Sequence, residues 1–134
     1  MKKYINVGLK VLFSLIFLIP ILGVLGIFPA PTADMYNTPE AFAFIKILMD
    51  SAIYINYIMA IVFAISLVLV WTNRTALAAL LVLPITVNII GFHTFIDGGL
   101  FTSGSILGVI FFALNLYFIW DQRANYSQLL ARSN

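Results

Sequence analysis

The stretch IVFAISLVLVWTNRTALAALLVLP, residues 61–84, holds two apolar runs separated only by Thr72-Asn73-Arg74. Apolar sequence extends each run on its far side, back to residue 52 and on to residue 96. Crossing a hydrocarbon core takes about 20 helical residues, and each run supplies that many. Three polar residues are too few to lead a chain back across, so the two segments read as antiparallel neighbours. No alternation of period two, which a lipid-facing barrel strand needs, is visible in either run.

Working outward, two further apolar segments appear, at 4–28 and 104–120. Of 134 residues, 63% are hydrophobic and 9% charged, with a mean hydropathy of +1.07. Soluble domains carry about 25% charged residues. The expected fold is therefore an all-α membrane protein: a single domain, 1–134, with four transmembrane helices (4–28, 52–71, 75–96 and 104–120) in an antiparallel bundle. Residues 121–134 read as a tail. Pro29-Ala30-Pro31 stops the first span and Asp97-Gly98-Gly99 the third, while Pro20 and Pro84 fall inside spans and predict kinks. Lys2, Lys3, an apolar run and Pro31-Thr32-Ala33 loosely resemble a leader peptide. The run is longer than a leader core and carries Lys10, so it reads as a retained span.

Between the first two spans lies YNTPEAFAFIKILMD, residues 36–50. Thr38 suits a helix cap, Pro39 the first helical position and Glu40 the positive end of the helix dipole. Too short to cross, this segment predicts an interfacial helix over 39–49 that covers the bundle. Lys46 and Asp50, one turn apart, read as a surface ion pair.

Charge sets the orientation. With four spans, Lys2, Lys3, Arg74, Arg123 and Arg132 share one side, against Lys46 with Asp34, Glu40, Asp50 and Asp97 on the other. Cations stay cytoplasmic, so both termini are expected inside a cell (inner) membrane. Trp71, Tyr117, Trp120 and Tyr126 fall toward the same inner boundary as an aromatic belt.

Certain chemistries are excluded. The chain has no cysteine and one histidine, which rules out thiol redox chemistry, thiolate-held clusters and paired-histidine haem ligation within it. Seven dispersed cations make no nucleic-acid patch. No metal site is expected, because His93 and Asp97 supply two ligands where three are needed.

Helix packing in a bilayer depends on small residues and interhelical hydrogen bonds. Gly104, Gly108 and Asn115 share a face of the fourth span. Tyr57, Ala60 and Ala64 form a stripe on the second, and Pro84, Asn88 and Gly91 a face on the third. Asn6, Lys10 and Ser14 form a polar stripe on the first, where Lys10 can snorkel to the interface. Asn88 and Asn115 are expected to bond between helices.

The polar cluster of the third span divides by angle. Asn88 and His93 lie about 140° apart, whereas Thr86, His93 and Asp97 share a stripe. A histidine beside a carboxylate can relay protons; one near a helix end can instead satisfy free carbonyls. The candidate ligand-binding residues are Asn88, His93, Thr86 and Asp97. No complete catalytic set is present.

Two motifs carry a family resemblance: LLVLPITVNIIGFHTFIDGG (80–99) and LNLYFIWDQRANYSQLL (114–130). With Pro84, Asn88, Phe92-His93, Tyr117, Trp120, Arg123, Tyr126 and Leu129-Leu130, they resemble the second half of DoxX-like four-helix membrane proteins. The first half is similar more loosely, through Lys10 and MYNTPEAFAF. The resemblance implies a small multi-pass protein associated with membrane redox systems, including a quinone-reducing thiosulfate oxidoreductase. Related sequences often carry a glutamate in the second span, and YIMAIVFAISLVLVW here has none, so a role for that acid does not transfer. The leading expectation is a non-catalytic accessory subunit that binds a lipid- or quinone-like molecule near Asn88 and His93. Its partners would be membrane lipids, a redox subunit or further copies of itself. The alternatives are a subunit of a quinone-linked oxidoreductase, or an oligomeric transporter or channel.

Overall fold

A computed structural model describes residues 1–127 and 129, and these are helical without any strand. The long elements are α1 (Lys2–Val24), α2 (Pro39–Asp50), α3 (Ile53–Trp71), α4 (Thr75–Phe95) and α5 (Ile106–Asp121). Short 3-10 turns at Ala33–Met35 and Arg123–Tyr126 complete the set. Arg132 and Leu130, used above for orientation and resemblance, lie outside the described residues.

Three helices, α1, α3 and α4, are long and apolar enough to cross a membrane. At 1.5 Å per residue they measure about 35, 29 and 31 Å. The fourth apolar helix, α5, has 16 residues and measures about 24 Å. It starts at Ile106 rather than at 104 because the Ser105 hydroxyl donates toward Leu100 O and Thr102 O and accepts from Thr102 N–H, tying the preceding residues into a turn. Similarly, α1 ends at Val24, before the prolines. Gly26, at φ +74°, turns the chain there, with its N–H on Gly23 O.

α2 begins as its local sequence dictates. Thr38 Oγ1 accepts from Ala41 N–H at 3.1 Å, and Pro39 occupies the first turn. Lys46 pairs with Asp50 at 2.8 Å on its exposed face. Between α3 and α4, Asn73 takes the left-handed conformation (φ 60°) and Arg74 N–H bonds back to Leu69 O, closing a tight hairpin.

Around the bundle α3 lies between α1 and α4, and α5 packs on α4 and returns to α1. The centre is aromatic: Phe13 and Phe17 of α1, Phe63 of α3, and Phe111 and Phe118 of α5 are buried with neighbouring ring centroids 4.4–5.8 Å apart. Small Ala78 and Ala79, both fully buried, let α4 approach closely. At one end of the bundle Asn6 accepts from the Tyr117 hydroxyl and donates to Asp121, joining α1 to α5. Ser14 accepts from Trp71 Nε1 at 3.0 Å, joining α1 to α3. Outside, the long helices present Leu15, Ile58, Ile61 and Val68, each more than half exposed, where a soluble bundle would carry charge.

Two packing expectations are corrected. Ala60 is buried but Ala64 and Tyr57 are exposed, and the packed face of α3 runs instead through Phe63, Ser66, Leu69 and Val70. Pro84 and Asn88 are exposed and a side chain built on Gly91 would meet nothing within 4 Å, so that face of α4 points away from the bundle. The reason is general to lipid-facing helices, whose outer and inner surfaces are equally apolar.

Candidate functional site

The C-terminal end of α4 carries the site. His93 Nδ1 stands 2.9 Å from Asp97 Oδ2, four residues on. α4 itself ends at Phe95, yet Ile96 keeps helical backbone angles and Asp97 N–H reaches Phe92 O at 3.0 Å. The chain then reverses through Gly98 at φ +84°, a conformation that glycine adopts without strain. This extra turn is what lets the Asp97 side chain fold back under the imidazole.

Asp97 is 1% exposed. Its burial comes from the segment before α2. Asn37 N–H donates to Asp97 Oδ1 at 2.8 Å, and the Thr38 hydroxyl donates to Ile96 O at 2.5 Å. Each carboxylate oxygen therefore has a partner, as a buried acid requires. Tyr36 stands nearby, and its hydroxyl is pushed above its ordinary 10.0 by burial and, next, by the Asp97 charge. Phe92 links the site to α2, with its ring 5.7 Å from Phe44 and 5.1 Å from the His93 imidazole.

With Nδ1 engaged by the carboxylate, the chemistry of His93 passes to Nε2. Nε2 makes no hydrogen bond among the described residues. His93 lines an open-sided cavity of about 300 Å³ formed by α1, α3, α4 and α5. His93 is the one polar side chain in that lining; Ile16, Phe63, Ile89 and Phe111 are typical of the rest. The wall beside the imidazole is Gly108. A Cβ there would lie 2.7 Å from Ile89 Cγ2 and 3.3 Å from His93 Cδ2, so only glycine leaves both side chains in place.

The four candidate residues separate. His93 and Asp97 form the pair just described. Thr86 is fully buried, but its hydroxyl faces Asn115 Oδ1 at 3.0 Å and Leu83 O at 3.0 Å, so it belongs to the α4–α5 contact and not to the histidine. Asn115 Nδ2 completes that contact by donating to Ala79 O at 2.9 Å, close to where Pro84 interrupts the helical ladder. Asn88 is exposed on the outer face of α4, away from the cavity. Gly104 is exposed too, although a Cβ there would lie 3.7 Å from Asp97 Oδ2.

Sequence reading missed Asn37, whose contribution is a backbone N–H and leaves no residue-type signal. It read Thr38 as a cap but not its second bond to Ile96. Among the described residues no three histidine, aspartate or glutamate side chains converge as a metal site. A second apolar cavity, about 440 Å³, lies beneath α2 between the ends of α1 and α3.

Fold and site together define a helical protein with membrane-length apolar helices and an imidazole held by a buried carboxylate beside an apolar cavity. Searches against protein-family models, curated proteins and solved structures found no match to this chain.

Proposed function

We propose that this chain is a four-span membrane protein of the DoxX-like type that binds a lipid- or quinone-like molecule in the bundle cavity, as an accessory subunit and not as a complete enzyme. The observation that carries the reading is His93, held by a buried carboxylate and offering Nε2 as the single polar contact in an apolar chamber. Ligand sites commonly have this form, mostly apolar walls with a few placed polar groups. On a neutral ring Nε2 accepts from a ligand hydroxyl; on a protonated ring it donates to a carbonyl.

Counting α5 as the fourth span is supported by its two ends. Gly108 near its start lies beside His93, and Asp121 at its finish meets Asn6 and Lys2 at the start of α1. α5 thus runs alongside α4 for most of its length, and the start of α1 and the end of α5 share one side. The cation count supports a cytoplasmic side for both.

Purification into native-lipid nanodiscs followed by mass spectrometry tests the reading. A small apolar molecule retained by the wild type and lost from His93→Leu is expected. Protein that carries no such molecule, with His93→Leu indistinguishable from it, overturns the proposal.

A partner in the membrane is favoured by a separate observation. Asn88 is a hydrogen-bonding side chain exposed midway along an apolar helix, next to Gly91, where a neighbouring backbone can approach. In hydrocarbon such an amide gains about 0.6–2 kcal/mol from a helix that satisfies it. The partner is a further copy of this chain or a redox subunit, and crosslinking from position 88 in membranes distinguishes the two.

A further inference from the structure

The two cavities share a wall. Ile19 and Pro20 of α1 and Met59 of α3 line both the chamber at His93 and the groove beneath α2. Apart from His93, the polar side chains along this course are Asn56 and Tyr57 in the groove, and Asn56 is already committed, donating to Leu48 O at 3.0 Å. The chamber alone, at about 300 Å³, is at the small end of ligand pockets, which run from about 300 to 1,000 Å³. The groove measures about 440 Å³.

Resting on the reading of His93 as the polar contact, we propose that chamber and groove form one site for a single-chain amphiphile, its hydroxyl-bearing head at His93 Nε2 and its chain laid over Pro20 into the groove beneath α2. The polarity gradient matches that occupant: His93 is the one polar side chain at one end, and mostly apolar wall, with Asn56 and Tyr57 in it, follows as far as the Phe28–Pro31 turn. A compact head without a chain leaves the groove empty, and Met59, unbranched and flexible, suits a junction that must adapt to a passing chain. Entry is lateral, from the membrane layer at the level of α2, because the groove lies between the ends of α1 and α3 with α2 as its cover.

Gly23 offers a clean block. It lines the groove and not the chamber, and a Cβ built there meets nothing within 4 Å, so Gly23→Trp fills the groove from an unstrained helical position. The probes are phenol and a decylphenol carrying a diazirine at the end of its chain, used with the full chain in nanodiscs. Photolabelling of wild type is expected within residues 23–31 or 45–49, competed by unlabelled decylphenol. Gly23→Trp is expected to lower that labelling about tenfold while leaving phenol binding unchanged, whereas His93→Leu lowers both. Competed labelling that falls elsewhere, or that Gly23→Trp leaves intact, overturns the chain path while the His93 contact stands. No competed labelling and no phenol binding in wild type overturn the path and the underlying reading together.

Discussion

His93 Nδ1 and Asp97 Oδ2 stand 2.9 Å apart, with the imidazole side chain 13% exposed and the carboxylate 1% exposed. The carboxylate is thus the hidden member, held between the histidine and Asn37 N–H. Replacing it leaves Asn37 N–H and the imidazole without their acceptor. Asp97→Ala is expected to destabilise the protein by about 1–3 kcal/mol, the range for orphaned buried polar groups. Unfolding in mixed detergent measures the loss, and an unchanged midpoint would contradict the assignment of Asp97 as the anchor.

Gly108 should tolerate nothing larger. Its missing Cβ is what lets α5 come up against Ile89 and His93, and Ile89 is β-branched with little rotamer freedom to retreat. Gly108→Ala is predicted to cost about 1–3 kcal/mol by overpacking and, on the proposed function, to weaken retention of the small apolar molecule as the imidazole is displaced. Gly91→Ala, with open space around it, should leave the isolated chain's stability within about 0.5 kcal/mol of wild type. Thermal unfolding of the two variants side by side is the check.

The two asparagines provide a matched contrast. Asn115→Leu removes the donor to Ala79 O and the partner of Thr86, and is expected to destabilise by about 1–3 kcal/mol. Asn88→Leu touches no bond within the chain and should leave monomer stability unchanged while reducing any association through α4. Equal losses from both substitutions, in a monomeric preparation, would refute the placement of Asn88 on the outer face.

That contrast shows what the sequence could and could not disclose. Thr38-Pro39-Glu40 announced the start of α2 because capping is settled by neighbouring residues. The α3–α4 hairpin was equally plain, since three polar residues allow no other route. Which asparagine faced inward was hidden, because lipid and protein core present the same apolarity and leave no amphipathic signal to orient a helix. Thr86 was misassigned for a related cause: a shared stripe with His93 does not reveal that α5 brings Asn115 against it. Asn37 was invisible, as its contribution is main-chain.

Alkaline pH should loosen the segment before α2. In the folded protein Tyr36 has its hydroxyl raised above 10.0, so the unfolded chain ionises first as pH rises. Its contribution is complete below the ordinary tyrosine value and is lost as pH climbs through the raised one. Thermal midpoints of wild type should fall more steeply than those of Tyr36→Phe above about pH 10. Parallel curves would show that ionisation at Tyr36 is not coupled to folding.

Ser66 offers a quieter test. Its hydroxyl is fully buried and has no partner among the described residues. Ser66→Ala is therefore expected to be neutral or slightly stabilising, because the substitution removes an unsatisfied group from the core. A loss above about 1 kcal/mol would reveal a hydrogen bond that Ser66 makes in the membrane.

Thr38 Oγ1 serves two helices at once, accepting from Ala41 at the start of α2 and donating to Ile96 at the end of α4. One oxygen is therefore the pivot pin between cover and frame. Lifting α2 by this end withdraws Thr38 from Ile96 and, one residue away, Asn37 from Asp97. The carboxylate then meets water, and the imidazole it steadies is freed to turn. The start of α2 and the aim of His93 are thus tied to one another through two neighbouring residues, Asn37 and Thr38.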